Sequence, residues 1–505
     1  MAQAVILAAL LAACLWIAWN VPYTHDDWDW GLPVGLSRWL SGELNNRYLG
    51  TALVLAMTRS QWAKTLIMGL CIFFIPILAA LLGAGERRDS RFPLTLLTSL
   101  ALMVMPMVTW RQTYGWVSAF ANFVAGAAVL LLALLLRRSC GGQRPPLWKL
   151  AGLFLMCLAA QLFAENMTVF LLAAAVCGAV YALWSGRGRA TAFAALAGAA
   201  LGAFFMFHNP MYGQLAVTGE AVQGIRHLTF APGTGPAEIA AGAVERCFTV
   251  LLPGVFEGNA GTMALVGAGC IWQLAKRKAS PAVILPVGLW TAFYCAWCVY
   301  VMEMSRRYYL WQSPHRWLHT GMAAVELLVI LAVLLTDSGA DRPRRLLLLT
   351  GAAMMMAPFA VVDEMGPRCC YLSQVLMVVL GADLLREVPW RRALTGAAAL
   401  MLAAAAAFHV RAYSVIGACE HTRQQLREQA TAQNAPSLSL PTETWRYGYS
   451  WGRDPQSAGR AEYYRQFYGL PEDIELIFLT RGSWEQWPQI TETMMAGALV
   501  YPPEK

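Results

Sequence analysis

Apolar residues in this chain gather into runs of about 17 to 25, the length an α-helix needs to cross a hydrocarbon core, and short charged connections separate them. About thirteen such runs lie near residues 3–20, 64–84, 92–110, 118–136, 148–163, 167–184, 190–207, 259–276, 281–301, 318–336, 345–362, 370–386 and 392–410. They predict an α-helical polytopic membrane protein. A different pattern follows the first run. Leu36, Trp39, Leu40, Leu44 and Tyr48 recur at helical spacing opposite Ser37, Arg38, Ser41, Glu43 and Asn45, which predicts a helix lying in the membrane interface within a loop over 21–63. A second long connection, 208–258, carries His208, Glu220, Arg226, His227, Glu245 and Arg246 among Gly and Pro breaks and is a candidate lid or substrate-entry element. After Val410 the pattern turns polar. Short β-like segments such as 474–480 alternate there with helical ones, predicting a small α+β domain over 411–505 behind a membrane module over 1–410.

Composition agrees with the pattern: 58% of residues are hydrophobic and only 13% charged, and mean hydropathy is +0.47. Charge adds an orientation. The alternate connections 86–91, 137–149, 185–189, 276–280, 337–345 and 386–392 hold 18 of the 38 Lys and Arg, so they are predicted to stay in the cytoplasm. The N-terminus is then inside, with the first span a retained anchor, and the loop over 21–63, the loop over 208–258 and the tail are outside. The net charge of +8 restates this bias, and no basic run tracks a nucleic-acid backbone. Of the twelve cysteines, seven fall within apolar runs, where they read as small core residues, Cys295 and Cys298 included. Cys247, Cys369, Cys370 and Cys419 lie outside the membrane without a spacing that dictates bridges.

The candidate chemistry is on the outer side. His25-Asp26-Asp27-Trp28-Asp29-Trp30 places three carboxylates just after the first span. Asn45-Asn46-Arg47 and the aromatic connection Trp110-Arg111-Gln112-Thr113-Tyr114-Gly115-Trp116 add cations at the same level, and Glu165-Asn166 interrupts some thirty apolar residues. Arg306, Arg307 and Arg316 with Glu303 form an arginine cluster that breaks the sidedness rule, and Asp363 to Arg368 repeats the acid-plus-arginine theme. Arginine forks suit phosphate oxygens, and a carboxylate can take a proton from an attacking hydroxyl. No GxxxxGK[ST] phosphate loop, GxGxxG turn or GxSxG elbow occurs in a credible context, which removes the usual markers of ATP-driven transport and serine hydrolysis, and the loop over 208–258 lacks HExxH or His/Cys metal-ligand spacing.

On these residues the chain resembles the integral-membrane glycosyltransferases of the GT-C superfamily. The Asp26-Asp27 pair after the first span, the interfacial helix, Glu165 in a later outer turn and the exterior tail carry the likeness. Asn45-Asn46-Arg47, Arg368, Asp454-Pro455, Tyr463-Tyr464 and Tyr468-Gly469-Leu470 are similar to an uncharacterised bacterial family grouped with those enzymes. The resemblance implies a GT-C-like fold in a bacterial plasma membrane and a polyprenyl-phosphate-linked sugar donor. It also implies transfer outside the cytoplasm to a lipid, glycan or protein acceptor. Asp26 is then the expected general base with Asp27 as understudy, and Glu165 the second acidic position. Arg47, Arg111, Arg306, Arg307, Arg316 and Arg368 are candidates for phosphate. A divalent cation, Mg or Mn, on Asp26, Asp27, Asp29 and Glu165 is an open option. The tail lacks a WWD-type motif, which argues against protein N-glycosylation. Two other readings stand beside the enzyme: a transporter or lipid flippase, and a non-catalytic scaffold that binds polysaccharide through the aromatic tail.

Overall fold

A computed structural model describes residues 2–41, 46–141, 145–218, 228–231, 233–304, 315–363, 365–442, 448–452, 454–479, 495 and 498–502. Ten helices among them are long and apolar enough to cross a membrane, or eleven if one bent pair is a single span. The chain is therefore α-helical and polytopic.

Differences from the predicted runs have local causes. The run near 92–110 forms the helix Arg88–Met103 and then Met107–Thr113, bent by 97°. Pro106 lacks an N–H and disfavours helical geometry in the residue before it, so the helix must break there. Carbonyls freed at the break find new donors: Asn259 Nδ2 donates to Ala101 O (3.1 Å), and His409 Nε2 lies 2.7 Å from Met103 O. The runs near 148–163 and 345–362 become the short helices Leu147–Gln161 and Arg342–Met354, the latter followed by a 3₁₀ turn at Ala357–Ala360. In the opposite direction, the lid predicted over 208–258 contains Pro236–Phe256, a 21-residue apolar helix long enough to span. Glu220, Arg226 and His227 lie outside the described residues.

At the bundle centre is the helix Pro367–Leu385, 94% of whose span window is buried. It packs against Gln61–Ala84, Arg88–Met103 and Ala260–Lys276. Small residues permit this: a Cβ on Gly83 or Gly269 would meet Ala382 or Leu384 at 2.4 and 2.5 Å. The basic connections gather at one end. Buried Asp383 pairs with Arg345 (2.7 Å) and Arg344 (3.0 Å), Asp337 with Arg345 (2.6 Å) and Arg277 (3.4 Å), and Glu387 with Arg87 (3.1 Å) and Lys276.

The last helix, Arg392–Ala432, has 41 residues and is about 60 Å long, twice the hydrocarbon thickness. It runs unbroken through residue 410, where polarity changes but helix-forming composition does not. Beyond it β1 (Ser437–Pro441) pairs in parallel with β2 (Glu475–Leu479), and β2 pairs antiparallel with β3 (Leu499–Tyr501). The helix Ala458–Tyr468 links β1 to β2. Leu440, Ala461, Tyr464, Ile474, Leu476 and Phe478 form a separate small core, and Trp28 from the first loop is buried in it.

Candidate functional site

The first loop begins with His25 in a left-handed conformation (φ 51°), a strained geometry for a residue with a side chain. It initiates the short helix Asp26–Gly31, whose first turn holds all three acids. Trp28 inserts into the C-terminal core, edge-on to Tyr464 with centroids 5.2 Å apart, and its Nε1 donates to Tyr23 O. That anchor turns the three carboxylates in different directions.

Asp27 points inward and is completely buried. Its Oδ1 accepts from Ser118 N (2.9 Å) and Ser118 Oγ (2.5 Å), and its Oδ2 accepts from Thr24 N (2.9 Å). It thus caps the helix Val117–Ser139 from ninety-one residues away. Burial pushes its carboxyl up to about 7, against these hydrogen bonds. Asp29 lies between Arg38 (3.0 Å) and Arg460 (3.0 Å). Burial, and then the charge of Asp26, raise its carboxyl above the ordinary value despite both cations.

Asp26 is the acid with an open side, its side chain 31% exposed. Its Oδ1 meets His25 Nδ1 at 2.6 Å and Arg460 Nη2 at 2.7 Å. Burial alone would raise its carboxyl, but the His25 hydrogen bond and the charges of His25, Arg460 and Arg368 leave it below the ordinary value. Arg460 comes from the helix Ala458–Tyr468, so the C-terminal unit clamps the loop through one guanidinium shared by Asp26 and Asp29.

Arg368, at the start of the central helix, has no carboxylate within ion-pair distance among the described residues. Its Nη1 reaches Gln112 Oε1 at 3.5 Å, and its guanidinium lies 5.4 Å from the Trp116 ring centroid. Trp116 stacks on Trp451 (5.7 Å, 23°) and meets His25 edge-on at 5.8 Å, while Arg111 lies 5.3 Å from the Trp451 ring. This assembly needs Gly115: a Cβ there would stand 1.8 Å from Tyr449 O, and Gly115 O accepts from Trp451 N. Two buried donors beside Arg368, Gln112 Nε2 and Trp116 Nε1, have no acceptor among the described residues.

Arg47 and Glu165 form the other flank. Arg47 Nε and Nη2 donate to the two oxygens of Glu165 at 3.0 and 2.7 Å, a bidentate pair, and Tyr212 OH donates to Oε1 at 3.1 Å. Asn46 fixes the approach through Phe205 O (2.7 Å) and Asn209. Arg47 lies over Phe123, five residues beyond Ser118 on one helix, about 7 Å of rise. It is also within electrostatic reach of Cys369, the neighbour of Arg368. The tip of the central helix therefore stands between the Asp26 and Glu165 pairs.

Of the sequence candidates, Asp26, Arg111, Arg368, Arg47 and Glu165 are brought to one end of the bundle, with Asp27 buried beneath. Arg316 is elsewhere, paired with Glu245 at 3.1 Å, and Arg306 and Arg307 lie outside the described residues. The four acids considered for a cation do not make one donor set. Asp27 serves Ser118, Asp29 and Glu165 serve arginines, and no group of three His, Cys, Asp or Glu converges among the described residues. Sequence reading missed Arg460, which has no motif around it and lies more than four hundred residues from its partners. It also missed Ser118 and Tyr212, both ordinary in composition. Comparison with family models, curated proteins and solved structures gives no match for this chain.

Proposed function

We propose that this chain is a GT-C-like glycosyltransferase of a bacterial plasma membrane. It moves a sugar from a polyprenyl-phosphate donor to an acceptor hydroxyl on the extracytoplasmic side, where the C-terminal unit also lies; the N-terminus is cytoplasmic. The observation that carries the reading is Arg368: among the described residues, a half-buried guanidinium without an acid partner, facing Asp26 and flanked by two buried donors without acceptors. Such a corner suits phosphate oxygens. Asp26 is ionised at neutral pH and accepts the acceptor's proton. The acceptor oxygen bonds to the anomeric carbon, the bond from that carbon to the phosphate oxygen breaks, and the charge released falls on Arg368. Arg47 and Glu165 shape the acceptor side, and Arg111 holds the Trp451 wall.

The test is binding of a labelled polyprenyl phosphate and of the uncharged polyprenol to the purified protein. The phosphate form should bind more tightly, and Arg368→Gln should weaken it by about ten- to a hundredfold, the value of one charge-assisted hydrogen bond. Equal affinity for both lipids, or no effect of the substitution, would count against the reading.

One observation favours a second reading, a transporter. Glu326 is buried midway along the helix Arg316–Leu335, and ionisable residues at that depth mark transport and proton pathways. Under that reading the protein moves a lipid or solute down an imposed proton gradient in vesicles and shows no sugar transfer.

A further inference from the structure

A line of buried polar side chains runs into the bundle apart from the Asp26 site. Glu257, 1% exposed, accepts from Trp297 Nε1 at 2.8 Å through Oε1, and its Oε2 lies 2.9 Å from Nδ1 of buried His319. Seven residues further along the same helix face, about 10 Å deeper, Glu326 Oε2 accepts from Trp290 Nε1 at 2.8 Å. The facing helix Pro281–Met302 supplies both tryptophans and, between them, Tyr294, in the i, i+4, i+7 pattern of one face. Tyr294 is completely buried and tilts only 23° from Trp290 at 5.9 Å, and its hydroxyl has no partner among the described residues. The tyrosine thus lies at a level between the two acids.

We infer that Glu257, His319, Tyr294 and Glu326 form a proton relay through the half of the bundle nearer the Asp26 site, with Glu326 as its proton-holding end. A carboxylate at that depth with one neutral donor and no cation is costly to ionise, so Glu326 holds its proton until a route for it opens. The groups that face Glu326 agree. Cys270 comes from the helix Ala260–Lys276, and Tyr294, Cys295 and Cys298 from Pro281–Met302; none of these is a cation at neutral pH. Arg277 and Arg345 reach only as far as Cys270 and are committed to Asp337 and Asp383. The outer end has its own water-sized space. A cavity of about 10 Å³, lined by Thr109, Glu257, Gln374 and Pro367 among others, is large enough for one water, and Gln374 Oε1 lacks a partner among the described residues.

The proton balance closes without a co-reactant. A hydronium ion gives its proton to the His319 and Glu257 pair and leaves as water, and the proton crosses between Oε2 and Nδ1. Once Glu326 has released its proton, the Tyr294 hydroxyl receives one proton as it passes its own toward Glu326 and ends unchanged, which reloads the carboxyl. The relay does not depend on glycosyl transfer, because neither Asp26 nor Arg368 belongs to it.

Infrared difference spectroscopy of the full-length protein in lipid discs tests it. A protonated-carboxyl band should persist to near-neutral pH and be lost in Glu326→Gln, which keeps an acceptor for Trp290. Tyr294→Phe should leave the band in place but slow its hydrogen-to-deuterium exchange severalfold. Trp290→Phe should shift the band by removing its hydrogen bond, which assigns it even if the Gln variant fails to fold. The inference is overturned if the band neither disappears in Glu326→Gln nor shifts in Trp290→Phe, or if Tyr294→Phe exchanges as fast as the unmodified protein.

Discussion

At the residue scale, two adjacent aspartates have opposite environments, and pH separates them. Asp27 holds its proton up to about 7 in the folded chain, whereas the unfolded carboxyl loses it near the ordinary value of about 4. The folded state therefore binds more protons between those limits, and this group lowers stability as pH rises through them, by up to about 1.4 kcal/mol per unit. Asp26 acts oppositely: its carboxyl lies below the ordinary value, so its contribution is complete above that value and is lost as pH falls through the folded one. Asp27→Asn should flatten the decline of thermal stability between about pH 4 and 7; an unchanged slope would mean that the Ser118 cap holds an ionised carboxylate. The Asp26-Asp27 pair was visible in the sequence as a candidate base with an understudy. Its division into an open acid and a buried cap was not, because Ser118 and Arg460 reach it only through tertiary contact.

At the scale of elements, the first loop is a plug between two folded parts. Trp28 fills the core of the C-terminal unit, and Arg460 returns from that unit to Asp26 and Asp29. Trp28→Ala should cost about 3–5 kcal/mol and release the unit, seen as rapid limited proteolysis beyond residue 432 while the bundle stays intact. Resistance equal to that of the unmodified protein would mean that the sheet holds itself in place. The interfacial pattern in the first loop appears as the helix Pro33–Ser41, with Leu36 and Leu40 exposed, and the apolar helix Tyr48–Arg59 follows it separately. Periodicity disclosed the exposed apolar face but not the non-helical Asn46 and Arg47 before Tyr48; Glu43, Leu44 and Asn45 lie outside the described residues.

For the whole molecule, charge alternation was the most informative signal in the sequence. The connections 86–91, 276–280, 337–345 and 386–392 meet in ion pairs at the end opposite His25, Arg47 and Arg368, a buried set around Asp383 and a more exposed one around Glu387. Hydropathy did not disclose helix length: the apolar run near 148–163 forms only the fifteen-residue helix Leu147–Gln161, which buries Leu153, Cys157, Ala160 and Gln161 and leaves Leu147, Trp148 and Leu155 exposed. It also passed over Pro236–Phe256, whose first turns carry Glu238, Glu245 and Arg246. A cysteine placed at Lys278 should react with a membrane-impermeant maleimide only after permeabilisation, and one at Arg316 should react in intact cells; the reverse pattern would invert the proposed orientation.

The central claim is that Asp26 performs chemistry at the Arg368 corner while Asp27 supports the fold beneath it. Sugar transfer from a labelled polyprenyl-phosphate donor, measured in detergent for the unmodified protein, Asp26→Asn and Asp27→Asn, tests this most directly. The account predicts a loss of about 10²- to 10⁴-fold in Asp26→Asn, with Asp27→Asn less stable yet retaining most of its turnover per folded molecule. Full transfer by Asp26→Asn, or transfer abolished only in Asp27→Asn, would contradict it.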